Sequence, residues 1–193
     1  LMKILNKEYG AKSILFDDDN FLTFRPRLKE LVKIIKSEGL DLTWSCMGRV
    51  DTADFETLKI AKSGGCWQVM YGIETGSQKI LDFYKKKITL EQIEHAIKVT
   101  KQAGLRIKGF IMLGNPLETR DSIQATIDFI KRLDLDDVSI SFLTPFPGSE
   151  IYKEVENYGK FEKAWERMSS FDIVFVPNGF TKKELQHYSK MAF

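Results

Sequence analysis

Acidic, basic and glycine residues follow four short apolar segments, and these are the residues of this sequence best suited to bind a ligand. The segments read SILFDDDNF (13–21), CWQVMYGIETGS (66–77), RIKGFIMLGNPLET (106–119) and DDVSISFLTPFPGS (136–149). Carboxylates accept hydrogen bonds from amines and hydroxyls, and glycine lets the backbone approach a ligand closely. The function of the chain is therefore expected to lie in these four loops.

Each segment starts with a strand-like apolar run and leads into an amphipathic helix. Repeated strand–loop–helix units build parallel α/β folds, whose sites lie at the carboxyl ends of the strands. Continuous apolar runs such as FIML and VSISFL favour strands covered on both faces. About five strands, recurring roughly every 25–35 residues, predict a partial (β/α) barrel of the TIM type. An open doubly wound sheet is the alternative, but no G-x-G-x-x-G motif supports its dinucleotide-binding form.

The chain divides by pattern into a main domain and a short extension. Residues 1–158 are expected to form the barrel core, ending in a helix at 148–158, and residues 159–193 a C-terminal cap. A leucine precedes Met2, and the sequence stops inside a helix predicted to begin near Thr181. These features predict that the chain is a piece of a longer protein.

Composition argues for a small-molecule partner. The 29 Lys and Arg against 27 Asp and Glu leave a net charge of +2, which favours neither nucleic acid nor a membrane surface. Two cysteines, Cys46 and Cys66, make no disulfide framework and match no common metal-ligand spacing, so we expect a cytoplasmic protein and no metal site of its own. Neither His95 nor His187 belongs to a recognisable nucleophile–base pair of the hydrolase type, so no catalytic side chain is predicted.

The first two loops each allow two interpretations. Asp17 and Asp18 could form a turn through Asx hydrogen bonds, or accept hydrogen bonds from a ligand amine or hydroxyl. Arg49 could form a structural ion pair with Asp51, or bind a ligand carboxylate bidentately through two parallel N–H groups of its guanidinium.

The next two loops are equally open. Glu74 could begin the following helix, favoured by the helix dipole, or bind sugar hydroxyls between its flanking glycines. Gly114 could make a plain strand-to-helix turn, or expose backbone to a flat ligand such as a purine, with Ile111 and Met112 against its face.

Taken together, the motifs of this chain resemble the radical S-adenosylmethionine superfamily. Within it, they resemble the group of Fe-S oxidoreductases and methyltransferases that often carry an upstream cobalamin-binding domain. The resemblance covers Ser13 to Val155. Its motifs are FDDDNF (16–21), RVD (49–51), SGGCWQVMYGIETGSQKIL (63–81), Lys86 and Lys87 before Ile88-Thr89, FIMLGNPLET (110–119) and TPFPGS (144–149).

The resemblance implies that a partial barrel binds S-adenosylmethionine against a 4Fe-4S cluster. It also implies a role for each predicted site residue: Asp17 and Asp18 near the methionine amine, Arg49 beside the methionine, Glu74 at the ribose, Lys86 or Lys87 at the carboxylate, and Ile111, Met112 and Gly114 at the adenine.

Two departures from the family pattern are visible. Asn115 and Leu117 stand where similar proteins have a more glycine-rich turn, which alters the predicted adenine loop. The C-x3-C-x2-C cluster loop is absent, so the cluster ligands lie outside this sequence. The chain is thus expected to lack the first barrel strand, and the strand at Ser13–Phe16 to present an open edge that pairs in a dimer, exchanges strands or is covered by a terminal segment.

The resemblance implies a fragment of an enzyme that cleaves S-adenosylmethionine reductively. The radical so formed would serve methyl transfer, cyclisation or rearrangement of a small molecule, with cobalamin held by an upstream domain, and the fragment would be inactive alone. The alternative is a cluster-free (β/α) domain that binds a nucleotide or a sugar phosphate.

Overall fold

The computed structural model describes residues 1–191, which form seven strands and seven α-helices. The strands are β1 (Ser13–Phe16), β2 (Thr43–Gly48), β3 (Cys66–Glu74), β4 (Arg106–Leu113), β5 (Asp137–Phe142), β6 (Gly159–Phe161) and β7 (Phe175–Pro177). The helices are α1 (Met2–Lys7), α2 (Arg25–Ser37), α3 (Phe55–Ser63), α4 (Gln78–Phe83), α5 (Leu90–Gln102), α6 (Arg120–Arg132) and α7 (Lys182–Met191).

Strands β1 to β5 form one sheet whose spatial order equals their order in the chain. β1 pairs with β2 in parallel, from Ser13 opposite Thr43, and β2 pairs with β3 in parallel, with a bulge between Trp44 and Ser45. Helices connect the successive neighbours of this sheet, as parallel strands require. The parallel α/β architecture predicted from the sequence is confirmed.

Packing divides the chain into two compact units. The first comprises Leu1–Gly72, Glu91–Gly109 and Asp134–Asp137. It includes Trp44, which is fully buried and donates its indole N–H to the Gly64 carbonyl at 2.7 Å.

The second unit comprises Ile73–Leu90, Phe110–Leu133 and the chain from Val138 onward. Here Leu143, Val155 and Phe175 form a buried cluster, and Tyr84 and Met112 pack against it.

The C-terminal part differs in detail from its sequence prediction. Residues 148–158 do not form a helix but two single 3₁₀ turns, Ile151–Lys153 and Val155–Asn157. Val155 is the only fully buried residue of these turns. The burial of one apolar side chain does not offset the free-energy cost of nucleating a longer helix. The expected cap or final strand is an antiparallel pair, β6 with β7, and the helix predicted from near Thr181 is α7. Among residues 1–191, no helix has the length and apolarity to cross a membrane.

Candidate functional site

Every loop selected from the sequence lies at the carboxyl end of a strand. Asp17 follows β1, Arg49 follows β2, Glu74 is the last residue of β3, and Gly114 follows β4. This is the end at which parallel α/β folds carry their ligands.

Glu74 and Lys86 are predicted site residues that the structure brings into contact. The Lys86 Nζ lies 2.5 Å from Glu74 Oε1, and the two side chains are 35% and 18% exposed. Glu74 has a φ of +66°, a left-handed conformation that costs a non-glycine residue about 1–2 kcal/mol. Strain of this kind is typical of functional sites, where surrounding contacts impose it.

The loop after Glu74 is fixed on helix α6. The Gly76 N–H donates to Thr126 Oγ1 at 2.9 Å, and the Thr75 and Thr126 hydroxyls are 3.0 Å apart. A Cβ on Gly76 would lie 2.7 Å from the Phe129 Cβ and 2.8 Å from the Ala125 carbonyl oxygen. Only glycine permits this approach, so the docked loop holds Glu74 in its strained conformation.

Lys86 is positioned by an irregular turn after α4. Lys85 and Lys87, on either side of it, have φ values of +53° and +56°. The Lys86 N–H donates to the Leu81 carbonyl at 3.1 Å, which ties the turn back to the helix. The family resemblance implied that Lys86 or Lys87 approaches the carboxylate of the ligand. The structure places Lys86 beside Glu74, and its role toward a ligand stays a prediction.

The loop after β4 is organised by Glu118, which is 6% exposed. The Asn115 N–H donates to Glu118 Oε2 at 3.3 Å, and the Ser122 hydroxyl donates to Oε1 at 2.5 Å. Burial raises the pKa of Glu118 above its ordinary value, although these hydrogen bonds oppose the rise. Sequence reasoning did not select Glu118 as a site residue. The one sequence feature that could have indicated it is its position directly before Thr119, the N-cap of α6.

A cavity of about 550 Å³ lies next to this loop in the second unit. Its lining residues come from two stretches and three single positions: Asp82, Phe83, Tyr84, Lys85, Ser149, Glu150 and Ile151, with Met112, Leu143 and Glu154. Met112 lines it, whereas Ile111, on the opposite face of β4, is 1% exposed and does not. Ile111 could therefore offer a ligand its backbone but not its side chain.

Two buried polar atoms make no well-formed hydrogen bond among residues 1–191, although the two side chains that carry them are close enough for the Asn115 amide to oppose the rise in the Tyr84 pKa. They are the Tyr84 hydroxyl and the Asn115 side-chain nitrogen, Nδ2. Asn115 Oδ1, by contrast, accepts from the Leu117 N–H at 2.7 Å. Unsatisfied buried groups are rare in native proteins because each costs about 1–3 kcal/mol. No sequence pattern indicated either atom.

The aspartates and Arg49 make the local contacts that the sequence allowed. Asp18 Oδ1 accepts from the Asn20 N–H at 3.2 Å, and Asp18 Oδ2 lies 3.1 Å from the Arg27 guanidinium. Arg49 donates to both carboxylate oxygens of Asp51, at 2.9 and 2.6 Å, and this pairing raises the pKa of Arg49. Their roles toward a ligand stay predictions, as does that of Asp17.

The cysteines do not form a metal centre. Cys46 and Cys66 lie on β2 and β3 and are 0% and 2% exposed. Their mutual hydrogen bond and their burial raise the pKa of the Cys46 thiol, which keeps it protonated. Residues 1–191 contain no group of three or more His, Cys, Asp or Glu side chains placed to hold a metal. The residues of this chain therefore do not fit a 4Fe-4S cluster.

Relatives of known sequence agree with this picture. An uncharacterised methyltransferase of Pyrococcus horikoshii is 36% identical over 100% of this chain and 42% of its own length. The cytidylyl-2-hydroxyethylphosphonate methyltransferase of Streptomyces wedmorensis is 28% identical over 80% of this chain and 30% of its own length. The chain thus spans less than half the length of these relatives.

Among solved structures, the chain is similar to TsrM of Kitasatospora setae, a radical S-adenosylmethionine methyltransferase solved with cobalamin and a 4Fe-4S cluster. The TM-score is 0.69 at 20% identity, over 94% of this chain and 38% of TsrM. Another structure of TsrM holds tryptophan as substrate and an analogue of S-adenosylmethionine. This similarity confirms the fold class, a partial (β/α) barrel.

The parallel sheet with ligand-type residues at its strand ends defines an α/β protein of the partial-barrel class. The sequence profile of the Radical SAM superfamily matches residues 1–130. With that match and the Pyrococcus relative, the chain belongs to the radical SAM superfamily.

Proposed function

We propose that this chain forms the S-adenosylmethionine-binding part of a radical SAM methyltransferase. The Glu74–Lys86 pair at the end of β3 is the observation that carries the proposal, because it combines a strained backbone with a partly buried ion pair. A structural ion pair alone would not need a residue in the left-handed region.

The two side chains suit the two polar ends of this ligand. The Glu74 carboxylate has acceptor oxygens for the ribose hydroxyls, and the Lys86 ammonium can pair with the carboxylate of the methionine moiety. Both groups are partly exposed, so a ligand can reach them. Without a ligand, the charges of Glu74 and Lys86 neutralise each other.

The remaining predicted residues complete the proposal. Adenine would rest against Met112 and the backbone of Ile111 and Gly114, where the positive φ of Gly114 turns the chain away from β4. Asp17, Asp18 and Arg49 are proposed for the methionine end.

A 4Fe-4S cluster held by residues outside this chain would supply the reducing chemistry for cleavage of S-adenosylmethionine. This chain does not hold that cluster, so its own contribution is to bind and orient the cosubstrate. Methyl transfer is the favoured outcome because the relatives named above are methyltransferases. The cobalamin bound by TsrM makes a cobalamin-dependent reaction part of the proposal.

Calorimetry or ligand-observed NMR with S-adenosylhomocysteine tests this site directly. We expect weak, saturable binding to the chain, since no iron is present to chelate the amine and carboxylate. Glu74→Gln and Lys86→Met should each weaken it about tenfold, the loss of about 1.4 kcal/mol. 5′-Methylthioadenosine lacks the carboxylate, so Lys86→Met should leave its binding unchanged.

Two lysine variants sharpen the test. Lys79→Met, on the exposed face of α4, is the matched control and should bind like the unaltered chain. Lys87→Met decides between the two lysines that the sequence left open. Equal binding by the unaltered chain and Lys86→Met, or a loss only in Lys87→Met, would contradict the proposed pairing.

A further inference from the structure

The two ends of the proposed cosubstrate site lie on separate stretches of the second unit. Lys86 belongs to residues 84–88, the Lys86 turn, and Gly114 opens residues 114–118, the adenine loop. A ligand with its carboxylate at Lys86 and its base at Gly114 bridges the two stretches. The distance between them therefore decides how well the ligand fits, because binding groups must be held within a fraction of an ångström.

Each stretch is fixed internally by its own hydrogen bonds. In the Lys86 turn, Gln78 Nε2 donates to the Ile88 carbonyl at 3.1 Å, and Gln78 Oε1 accepts from the Leu90 N–H at 3.2 Å. In the adenine loop, Glu118 accepts from the Asn115 N–H. A displacement at one end of either stretch is therefore passed on to the rest of it.

The two stretches meet at one buried apolar cluster. Tyr84, the first residue of the Lys86 turn, packs against the cluster of Leu143, Val155 and Phe175. A Cβ on Gly114 would lie 4.0 Å from the Leu143 backbone nitrogen and 4.0 Å from the Phe175 carbonyl oxygen. Tyr84 and the start of the adenine loop thus contact the same residues.

A polar contact joins the stretches at this place. Asn115 Oδ1 accepts from the Leu117 N–H at 2.7 Å, so the end of the Asn115 amide left for another contact is Nδ2. This amide lies close enough to the Tyr84 oxygen to oppose the rise that burial causes in the Tyr84 pKa. Both atoms are buried, and neither has a partner elsewhere in the part of the chain that the structure describes.

We propose that Tyr84 and Asn115 are positioning residues that hold the Lys86 turn at a fixed distance from the adenine loop. Tyr84 acts through Lys86, two residues further along the same turn. Asn115 is one of the two residues at which this loop departs from the family pattern, so the contact is a feature of this chain. The identity of the ligand rests on the proposed function, but the contact between the two stretches does not.

Two cosubstrate analogues test the role of Tyr84 on the 193-residue chain. S-Adenosylhomocysteine bridges both stretches, whereas 5′-methylthioadenosine lacks the carboxylate. Tyr84→Phe should weaken S-adenosylhomocysteine about three- to tenfold, no more than Lys86→Met does, and should leave 5′-methylthioadenosine unchanged. In the Lys86→Met background, Tyr84→Phe should have no further effect, because the group that it positions is absent.

Tyr71→Phe is the matched control. Tyr71 is 0% exposed, and its hydroxyl lies 2.9 Å from the Thr100 hydroxyl in the first unit. The substitution removes the same buried group, so it should lower the free energy of unfolding in urea as Tyr84→Phe does. It should leave the ratio of the two analogue affinities unchanged, which separates positioning from a loss of stability.

Two-dimensional ¹⁵N NMR reports the contact without any ligand. The Asn115 side-chain amide signals, assigned by their loss in Asn115→Ala, should move in Tyr84→Phe and stay in place in Tyr71→Phe. The backbone amide signals of Lys85 and Lys86 should move in Asn115→Ala, although these residues are distant from Asn115 in the sequence.

Three results would overturn the proposal: an equal loss of affinity for both analogues in Tyr84→Phe, a further loss when Tyr84→Phe is added to Lys86→Met, or Asn115 and Lys86 signals that do not respond to the variants. Failure of the proposed function is separately visible. S-Adenosylhomocysteine binding then ignores Lys86→Met, while the Asn115 and Lys86 signals still move.

Discussion

Glu74 shows at the scale of one residue how a binding site can cost stability. Its left-handed φ of +66° is one that glycine adopts freely and other residues do not. We therefore predict that Glu74→Gly is more stable than Glu74→Ala by about 1 kcal/mol, since both variants lose the carboxylate and only alanine keeps the strain. Urea unfolding of the two variants measures the difference.

The same pair of substitutions at Lys98 provides the control. Lys98 is exposed in the interior of α5, where alanine should be more stable than glycine by about 1 kcal/mol. If the alanine variant is more stable than the glycine variant at position 74 as well as at position 98, the backbone of Glu74 is not strained.

Residue types alone predicted where polar groups would lie but not which of them would pair. The positions of Asp17, Arg49, Glu74 and Gly114 at strand ends follow from hydrophobic patterning. The pairing of Lys86 rather than Lys87 depends on a turn with two left-handed residues, which sequence does not show. The burial of the Tyr84 hydroxyl next to the Asn115 amide likewise depends on packing that brings distant segments together.

At the scale of elements, Asp54 stabilises the start of α3. Its carboxylate accepts from the Thr57 N–H at 3.0 Å and also pairs with Arg25. Although burial opposes the shift, hydrogen bonds from Arg25 and Thr57 lower the pKa of Asp54 to about 2. The pKa is lowered by folding, so the stabilisation is complete above the ordinary aspartate pKa of about 3.9 and is lost as pH falls toward 2.

Asp54→Asn keeps a capping side chain but removes the charge. We predict that it lowers the free energy of unfolding by about 1 kcal/mol near pH 6, a value discounted because the carboxylate is 40% exposed. The difference should shrink as pH falls below about 4 and approach zero only near pH 2 or below in denaturant titrations. A difference that does not change with pH would contradict the assigned pairing.

The loop that holds Glu74 depends on Gly76 and helix α6. Gly76→Ala should destabilise the chain by about 2 kcal/mol or more, because its Cβ would overlap the α6 backbone at 2.8 Å.

Thr126→Val, which keeps the shape and removes the hydroxyl, should cost about 1–2 kcal/mol by leaving the Gly76 N–H unpaired. Thermal unfolding compares both; an unchanged melting temperature in Gly76→Ala would refute the docking.

Most elements were predictable because their patterns are long and periodic. Helices α5 and α6 bury one apolar face each, which the sequence shows plainly. The segment 148–158 has a weaker pattern, and its single fully buried residue, Val155, explains why the predicted helix is wrong. The antiparallel pairing of β6 with β7 joins strands more than ten residues apart and left no local signal.

At the scale of the whole molecule, β1 is an edge strand of the sheet that residues 1–191 form. β1 is the first strand in the sheet order, and Leu15 within it is 55% exposed. Association through this edge stays a prediction, which size-exclusion chromatography of the chain can test.

Membership of the superfamily leads one to expect a 4Fe-4S cluster, whereas the cysteines of this chain cannot bind one. The chain belongs to the radical SAM superfamily, yet its two cysteines are buried and cannot supply the three thiolates of a C-x3-C-x2-C motif. Our proposal therefore gives this chain the binding of the cosubstrate, and a cluster would need ligands from residues outside this sequence.

The most direct test is 5′-deoxyadenosine formation by the full-length protein, reconstituted anaerobically with iron and sulfide and then reduced in the presence of S-adenosylmethionine. The account predicts a brown protein that forms 5′-deoxyadenosine, about tenfold less efficiently in the Lys86→Met variant, whereas the 193-residue chain stays colourless and inactive. A full-length protein that stays colourless and forms no 5′-deoxyadenosine, or a short chain that binds a stoichiometric cluster, would contradict the account.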